Sequence, residues 1–266
     1  MNNTRTEKFG RSEENQKTIT MEFLQWTNYF TINKTHFDHI NWSEGNQLTT
    51  DEKKDLKTSL QQFQRGENSE GENLMRYAEV LGDEEYLNTI KIFIREEQSH
   101  AKVLGKFLTL NDIPKIRGHW IDDIFRKLRT LASLENSVLV LITAEIIAVV
   151  YYKALRDSSN STLLQKLCEQ ILIDEELHIN FQSFTLSIFH ERRSFFGQWL
   201  KESLRKFLMA GTTILVWFTH GKVLKRGNYT FFKFWREVFE EYQRSADMIC
   251  GKSKISIEPH YILRSL

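Results

Sequence analysis

Cysteine and proline are nearly absent from this chain, with two of each in 266 residues. Cys168 and Cys250 stand alone, which excludes a disulfide framework and any cysteine-based zinc or rubredoxin-type site. Two prolines and twelve glycines leave few breaks in the backbone. With abundant Leu, Ile, Glu and Lys, that composition favours a mainly helical protein. An excess of one charge is missing too. Thirty-six basic residues meet thirty-five acidic ones, a formal charge of +1, so there is no electrostatic reason to expect nucleic acid or an anionic membrane as partner. The N-terminus, Met1 to about Thr20, is polar and has no signal-peptide core, so a cytoplasmic location is expected. The apolar run Phe207 to Phe218 is short for a bilayer and is interrupted by Gly211, Thr212 and Thr213. Leu131 to Tyr152 is long enough, yet it carries Glu135 and Glu145 and reads better as a buried bundle helix.

What is present is helical periodicity. Residues 1–20 read as a flexible arm, and 21–48 as an aromatic-rich segment (Phe23, Trp26, Tyr29, Phe30, Phe37, Trp42) packed on the outside of a bundle. Residues 49–192 carry the bundle, and 193–266 hold further helices that cover it or form an interface. The pattern Thr49-x-x-Glu52 is a capping box that opens a helix running to about Leu81. Its inward stripe reads Leu60, Phe63, Glu67, Glu70, Leu74, Tyr77 and Leu81. Gly82 stops it, and Asp83 caps a second helix to Phe107. A connection containing Pro114 and Gly118 is long enough to cross the bundle. A third helix is expected from Phe125 to Arg156, a turn at Asp157–Asn160, and a fourth helix from Ser161 to at least His190. Two more helices, about Phe195 to Val223 and Thr230 to Cys250, complete the chain.

The chemistry sits in a repeated pattern. Glu97-Gln98-Ser99-His100 lies in the second helix and Glu175-Glu176-Leu177-His178 in the fourth. Glu and His three positions apart share a helical face, so both heads can reach one metal ion. One such motif is weak evidence, whereas two at matching places in two hairpins are strong. Thirty positions separate Glu67 from Glu97, and thirty separate Glu145 from Glu175. Glu145, Glu175 and His178 each follow Glu67, Glu97 and His100 by 78 positions. The midpoints of the two Glu pairs are Gly82 and Asn160, both at expected turns. Each carboxylate therefore lies about 20 Å from its turn, and all six side chains fall at one level. Glu145 is set in the apolar stretch Val138–Val150. A buried carboxylate there costs several kcal/mol unless it is paired, protonated or bound to metal.

This set of residues resembles the ferritin-like di-iron carboxylate proteins, in which two helices each give a Glu and two give Glu-x-x-His. The resemblance covers about residues 50 to 190 and implies an all-α fold, a ferritin-like four-helix bundle of two antiparallel hairpins joined by a crossover. It implies Glu67, Glu97 and His100 around one iron, Glu145, Glu175 and His178 around the other, and Glu97 and Glu175 as bridges. Mixed oxygen and imidazole ligation suits two Fe ions, with Mn in one or both positions as the variant. Members of this group store iron, reduce peroxide, or use O2 to oxidise substrates. Paired histidines are not typical of iron stores, and rubrerythrins usually add a four-cysteine domain that this chain lacks. The expectation is therefore an O2-dependent oxidase or oxygenase, with a small-molecule or carrier-bound substrate and an external electron donor. A ferroxidase or rubrerythrin-like peroxide reductase is the alternative.

Residues around the pattern carry secondary expectations. Glu70 faces the site one turn from Glu67, as an acid beside the first iron or a fallback ligand; its counterpart at the 78-position offset is Ala148. Gly66 and Gly71 flank Glu67, and they either open room beside it or are merely tolerated. Glu96 and Asp174 are candidates to orient the imidazoles, with solvated helix charges as the rival reading. Tyr77, Tyr151 and Tyr152 read first as packing tyrosines. His36, His39 and His220 read as packing or surface histidines. For the C-terminal helices three uses are expected, in order: a roof over a substrate pocket, a homodimer interface, a membrane contact.

Overall fold

The computed structural model describes residues 13–68, 71–116 and 133–258, and every regular element among them is a helix. In chain order these are α1 (Glu13–Ile32), a 3-10 turn (Asn33–Thr35), α2 (Thr50–Glu67), α3 (Glu72–Leu81) and α4 (Glu84–Leu110). After the crossover come α5 (Leu134–Asp157), α6 (Thr162–His190), α7 (Phe195–Arg226) and α8 (Phe231–Ile249).

Helix starts follow local chemistry. Thr49 and Glu52 form the capping box at α2, and the Asp83 side chain accepts from Tyr86 N at α4. Ser133, Ser161, Ser194 and Thr230 cap α5 to α8 in the same way. Each such cap satisfies an otherwise orphaned amide and contributes about 1 kcal/mol. Gly82 ends α3 in the left-handed conformation, φ +72°.

The helix expected to run unbroken to Leu81 is interrupted. α2 ends at Glu67, and α3 starts at Glu72 after Gly71 at φ +65°. A side chain at Gly71 would be strained by that backbone, and its Cβ would sit 2.4 Å from Ile94 Cδ1. Gly71 therefore lets a turn pack tightly against α4 and opens no room. Gly66 meets nothing within 4 Å.

α1 also departs from expectation. It begins at Glu13, inside the stretch read as an arm, and it enters the core. Phe23, Trp26 and Phe30 are buried and join a cluster of rings with Tyr86, Phe93 and Phe181. α1 packs along α4, α2 pairs with α4, and α5 pairs extensively with α6. α7 lies across α5 and α2, and α8 across α6 and α5. The expected start of the third helix at Phe125 falls outside the described residues, as do Glu70 and Gly118. α5 and α7 are each long and apolar enough to cross a membrane by length and composition; most of α5's apolar window is buried in protein, but only 39% of α7's is. The run Phe207–Phe218 lies inside α7, the helix expected from Phe195 to about Val223, which continues to Arg226; within the run Thr212 and Thr213 are buried.

Candidate metal centre

α2, α4, α5 and α6 bring Glu67, Glu97, His100, Glu145, Glu175 and His178 to one place. Glu67, Glu97, His100 and Glu175 offer ligand atoms all within 4.8 Å of one another, and so do Glu97, Glu145 and His178. Glu97 belongs to both groups. Glu175 lies between the two imidazoles, 3.6 Å from His100 Nδ1 and 3.6 Å from His178 Nδ1. These are the two bridging positions implied by the resemblance.

The inward atoms lack hydrogen-bond partners. Glu97 Oε1, His100 Nδ1, both oxygens of Glu145, Glu175 Oε2 and His178 Nδ1 are buried and unsatisfied. His178 Nδ1 and Glu97 Oε1 are 2.7 Å apart without hydrogen-bond alignment, so both are aimed into shared space. Buried polar atoms are almost always satisfied, and orphans facing one another in this number form a group that could hold a cation. Four carboxylates and two imidazoles fit two divalent ions in donor type and in charge.

The outward atoms are fully held. His100 Nε2 is 3.1 Å from Asp174 Oδ2, and His178 Nε2 is 3.0 Å from Glu96 Oε1. Each anchor sits beside a ligand Glu in sequence but holds the histidine of the other helix. Asn33, in the turn after α1, donates to Glu96 Oε2 at 3.1 Å and to Asp174 Oδ1 at 2.9 Å. His36 Nδ1 lies 3.1 Å from Asp174 Oδ2, and its Nε2 lies 2.9 Å from Ser99 Oγ. His36, Glu96 and Asp174 also cluster within 4.8 Å, but hydrogen bonds already occupy them, so they form an outer layer and not a third metal group.

His36 is thus neither a surface nor a simple packing residue, and Asn33 was not singled out by its sequence at all. The available signal was weak: a polar Asn-x-x-His pair following an aromatic-rich helix. Its partners stand 63 and 141 positions away. His39 is exposed, whereas His220 packs against Phe63 and Tyr151 and pairs with Ser59. Of the tyrosines, Tyr151 pairs with Ser59, and Tyr77 lies half-buried under Arg76. Tyr152 is different. Its hydroxyl donates to Glu67 Oε1 at 2.5 Å, placing a phenol on a candidate ligand.

Without a counter-ion the electrostatics conflict. Burial, then Glu97 and Glu175, hold Glu67 well above the usual carboxylate range. Burial also holds Glu145 well above the usual range against the opposing pull of His178, with Glu97, Glu175 and Glu67 adding to the rise. Burial would raise Glu97, but the attraction of His178 and then His100 leaves it lowered. Burial would lower His100, yet its hydrogen bond to Asp174 and the surrounding charge push it up to about 9. These directions favour retained protons in the metal-free site, where carboxylate charge is otherwise uncompensated.

No known family model, curated protein or solved structure matches this chain. The all-helical architecture and the buried Glu/His clusters therefore rest on the chain's own residues.

Around the centre, Phe93 and Phe30 lie 4.8 Å and 6.0 Å from the His178 ring, and Phe37 lies 6.0 Å from His100. Exposure is uneven. The side chains of His100 and His178 are sealed at 0%, while Glu67 is 9% exposed and Glu97 13%. Glu67 and Glu97 thus form the less sealed edge of the site.

Proposed function

We propose that this chain is a ferritin-like non-haem di-iron oxidoreductase that uses O2 to oxidise or oxygenate a small organic or carrier-bound substrate. One observation carries the reading. Both imidazoles are anchored through Nε2 to buried carboxylates, while their Nδ1 atoms and the opposing carboxylate oxygens converge unpartnered. Glu67, Glu97 and His100 would hold one ion, Glu145, Glu175 and His178 the other, with Glu97 and Glu175 shared. Two iron ions held there would supply redox chemistry at oxygen that no side chain in the site provides; manganese suits the same donors.

The residues divide the remaining work. Asp174 and Glu96 accept from Nε2–H of the histidines, which fixes the ring orientation and presents Nδ1 inward. Tyr152 holds a proton at its phenol oxygen, 2.5 Å from Glu67, where a carboxylate changing its binding mode would need it. The ring layer of Phe30, Phe93 and Phe37 excludes water from the histidine side. Substrate would approach along the more exposed Glu67–Glu97 edge. The fixed outer layer favours ions that stay, as an oxidase needs, over ions that pass through, as iron storage needs.

Metal analysis of the purified protein, followed by anaerobic Fe(II) titration and exposure to air, tests this. Two Fe per chain, with oxidation stopping near two equivalents, is expected. Turnover of many Fe(II) per chain with mineral formation would replace the proposal with a ferroxidase. Absence of bound metal, and no thermal stabilisation by Fe(II), Mn(II) or Zn(II), would refute any metal reading.

A further inference from the structure

α7 is apolar on two faces. Met209, Thr212, Thr213, Val216 and Val223 turn inward against the body of the protein. The opposite face exposes Leu200 at 54%, Leu204 at 51%, Phe207 at 79%, Ile214 at 42% and Phe218 at 78%. With Gly211, these positions advance by four, three, four, three and four, the heptad a/d seam of a coiled coil. Gly211 is exposed in the middle of a 32-residue helix, and a Cβ there would meet nothing within 4 Å. Among the described residues nothing accounts for a residue that weakens a helix by about 1 kcal/mol relative to alanine. Close approach of another helix does.

We propose that this face binds a second copy of the chain, α7 against α7, antiparallel about a two-fold axis at the level of Met209. The seam is self-complementary in that register. Leu200 meets the second copy's Phe218, Leu204 meets its Ile214, and Phe207 fills the hollow left by its Gly211. An aromatic side chain offers about 150–250 Å². Phe207 and Phe218 on the seam, Phe196 beside it and the three seam aliphatics present on the order of 600 Å² of apolar surface. That reaches the upper end of the roughly 300–600 Å² patch of an ordinary monomer and approaches the ~800 Å² per partner of a standard interface. A membrane-surface helix needs a broad apolar face; a narrow 3-4 seam with a glycine notch fits a helix better.

Sedimentation equilibrium of the full chain should give twice 31.6 kDa at micromolar concentration. Phe207→Glu should weaken association by about 100-fold or more, while Phe232→Glu, at an exposed α8 position off the seam, should not. Gly211→Leu, which improves helix propensity at an exposed position where a Cβ meets nothing within 4 Å, should also yield monomer with unchanged or better helicity. In a Cys250→Ser background, Leu204→Cys with Ile214→Cys should form intermolecular disulfides, and Leu200→Cys with Phe207→Cys should not. A monomeric wild type overturns the proposal, and its flotation with phospholipid vesicles would assign the face to a membrane. A dimer that survives both Phe207→Glu and Gly211→Leu overturns it as well.

Discussion

His100, on α4, is anchored by Asp174 on α6 at 3.1 Å, while Glu96 on α4 anchors His178 on α6 at 3.0 Å. The two histidine-bearing helices hold each other's ligands, and Asn33 ties the two anchors together. Asp174→Ala frees the His100 ring to rotate and to change tautomer. Metal affinity is expected to fall about 10- to 100-fold, with Asn33→Ala causing a smaller loss in the same direction. Competition against a chelator of known affinity measures both. Equal affinities in wild type and Asp174→Ala would show that the crossed anchors do not position the ligands.

Glu145 has neither carboxylate oxygen satisfied and is 3% exposed. Replacing it with an apolar side chain of similar length removes a desolvation penalty from the metal-free protein. Glu145→Met should therefore stabilise the metal-free form by about 1–3 kcal/mol while abolishing most of the stabilisation that added metal provides. Denaturant unfolding with and without metal reads the two effects separately. A variant that is less stable without metal and gains as much from it as wild type would contradict the assignment of Glu145.

Metal affinity should rise with pH. In the metal-free protein the folded-state values of Glu67, Glu145 and His100 all lie above their ordinary values, so these groups keep protons that free side chains would release. An ion needs ionised carboxylates and a bare Nδ1, so each proton must leave on binding. Because protons are products, raising pH drives binding, most steeply up to about 9, where His100 loses its proton unaided. Calorimetry in buffers of different ionisation enthalpy should show net proton release near neutral pH. Affinity independent of pH would argue against a buried, proton-compensated site.

The two glycines beside Glu67 should behave oppositely. Gly71→Ala places a Cβ at φ +65° against Ile94 and is expected to destabilise the fold by about 1–3 kcal/mol. Gly66→Ala, inside α2 with open space around it, should be neutral or stabilise by up to about 1 kcal/mol. Thermal unfolding of both variants checks this; similar effects would show that the α2–α3 break is not built on Gly71.

The break itself shows why part of the fold escaped prediction. Leu60, Phe63, Glu67, Leu74 and Leu81 keep helical spacing in the sequence, although α2 ends at Glu67 and α3 starts at Glu72. Asn68 and Gly71 carried the turn signal, and the apolar spacing outweighed it. α1 was underrated for a related reason. A rich set of aromatics says that a segment is buried, but not which helices it is buried between.

What the sequence by itself determined is the helical class, the caps that start α2 and α4, and the six side chains gathered at one level. Those follow from distances along the chain: side chains three or four apart share a face, and residues equidistant from a turn meet across a hairpin. The tertiary structure alone decided how the site is held. The crossed pairing of His100 with Asp174 and of His178 with Glu96 depends on how two helices remote in sequence are rotated against each other. The reach of Asn33 and His36 into that layer depends on where α1 docks. Neither angle leaves a period in the sequence, since packing of side chains across helices sets it.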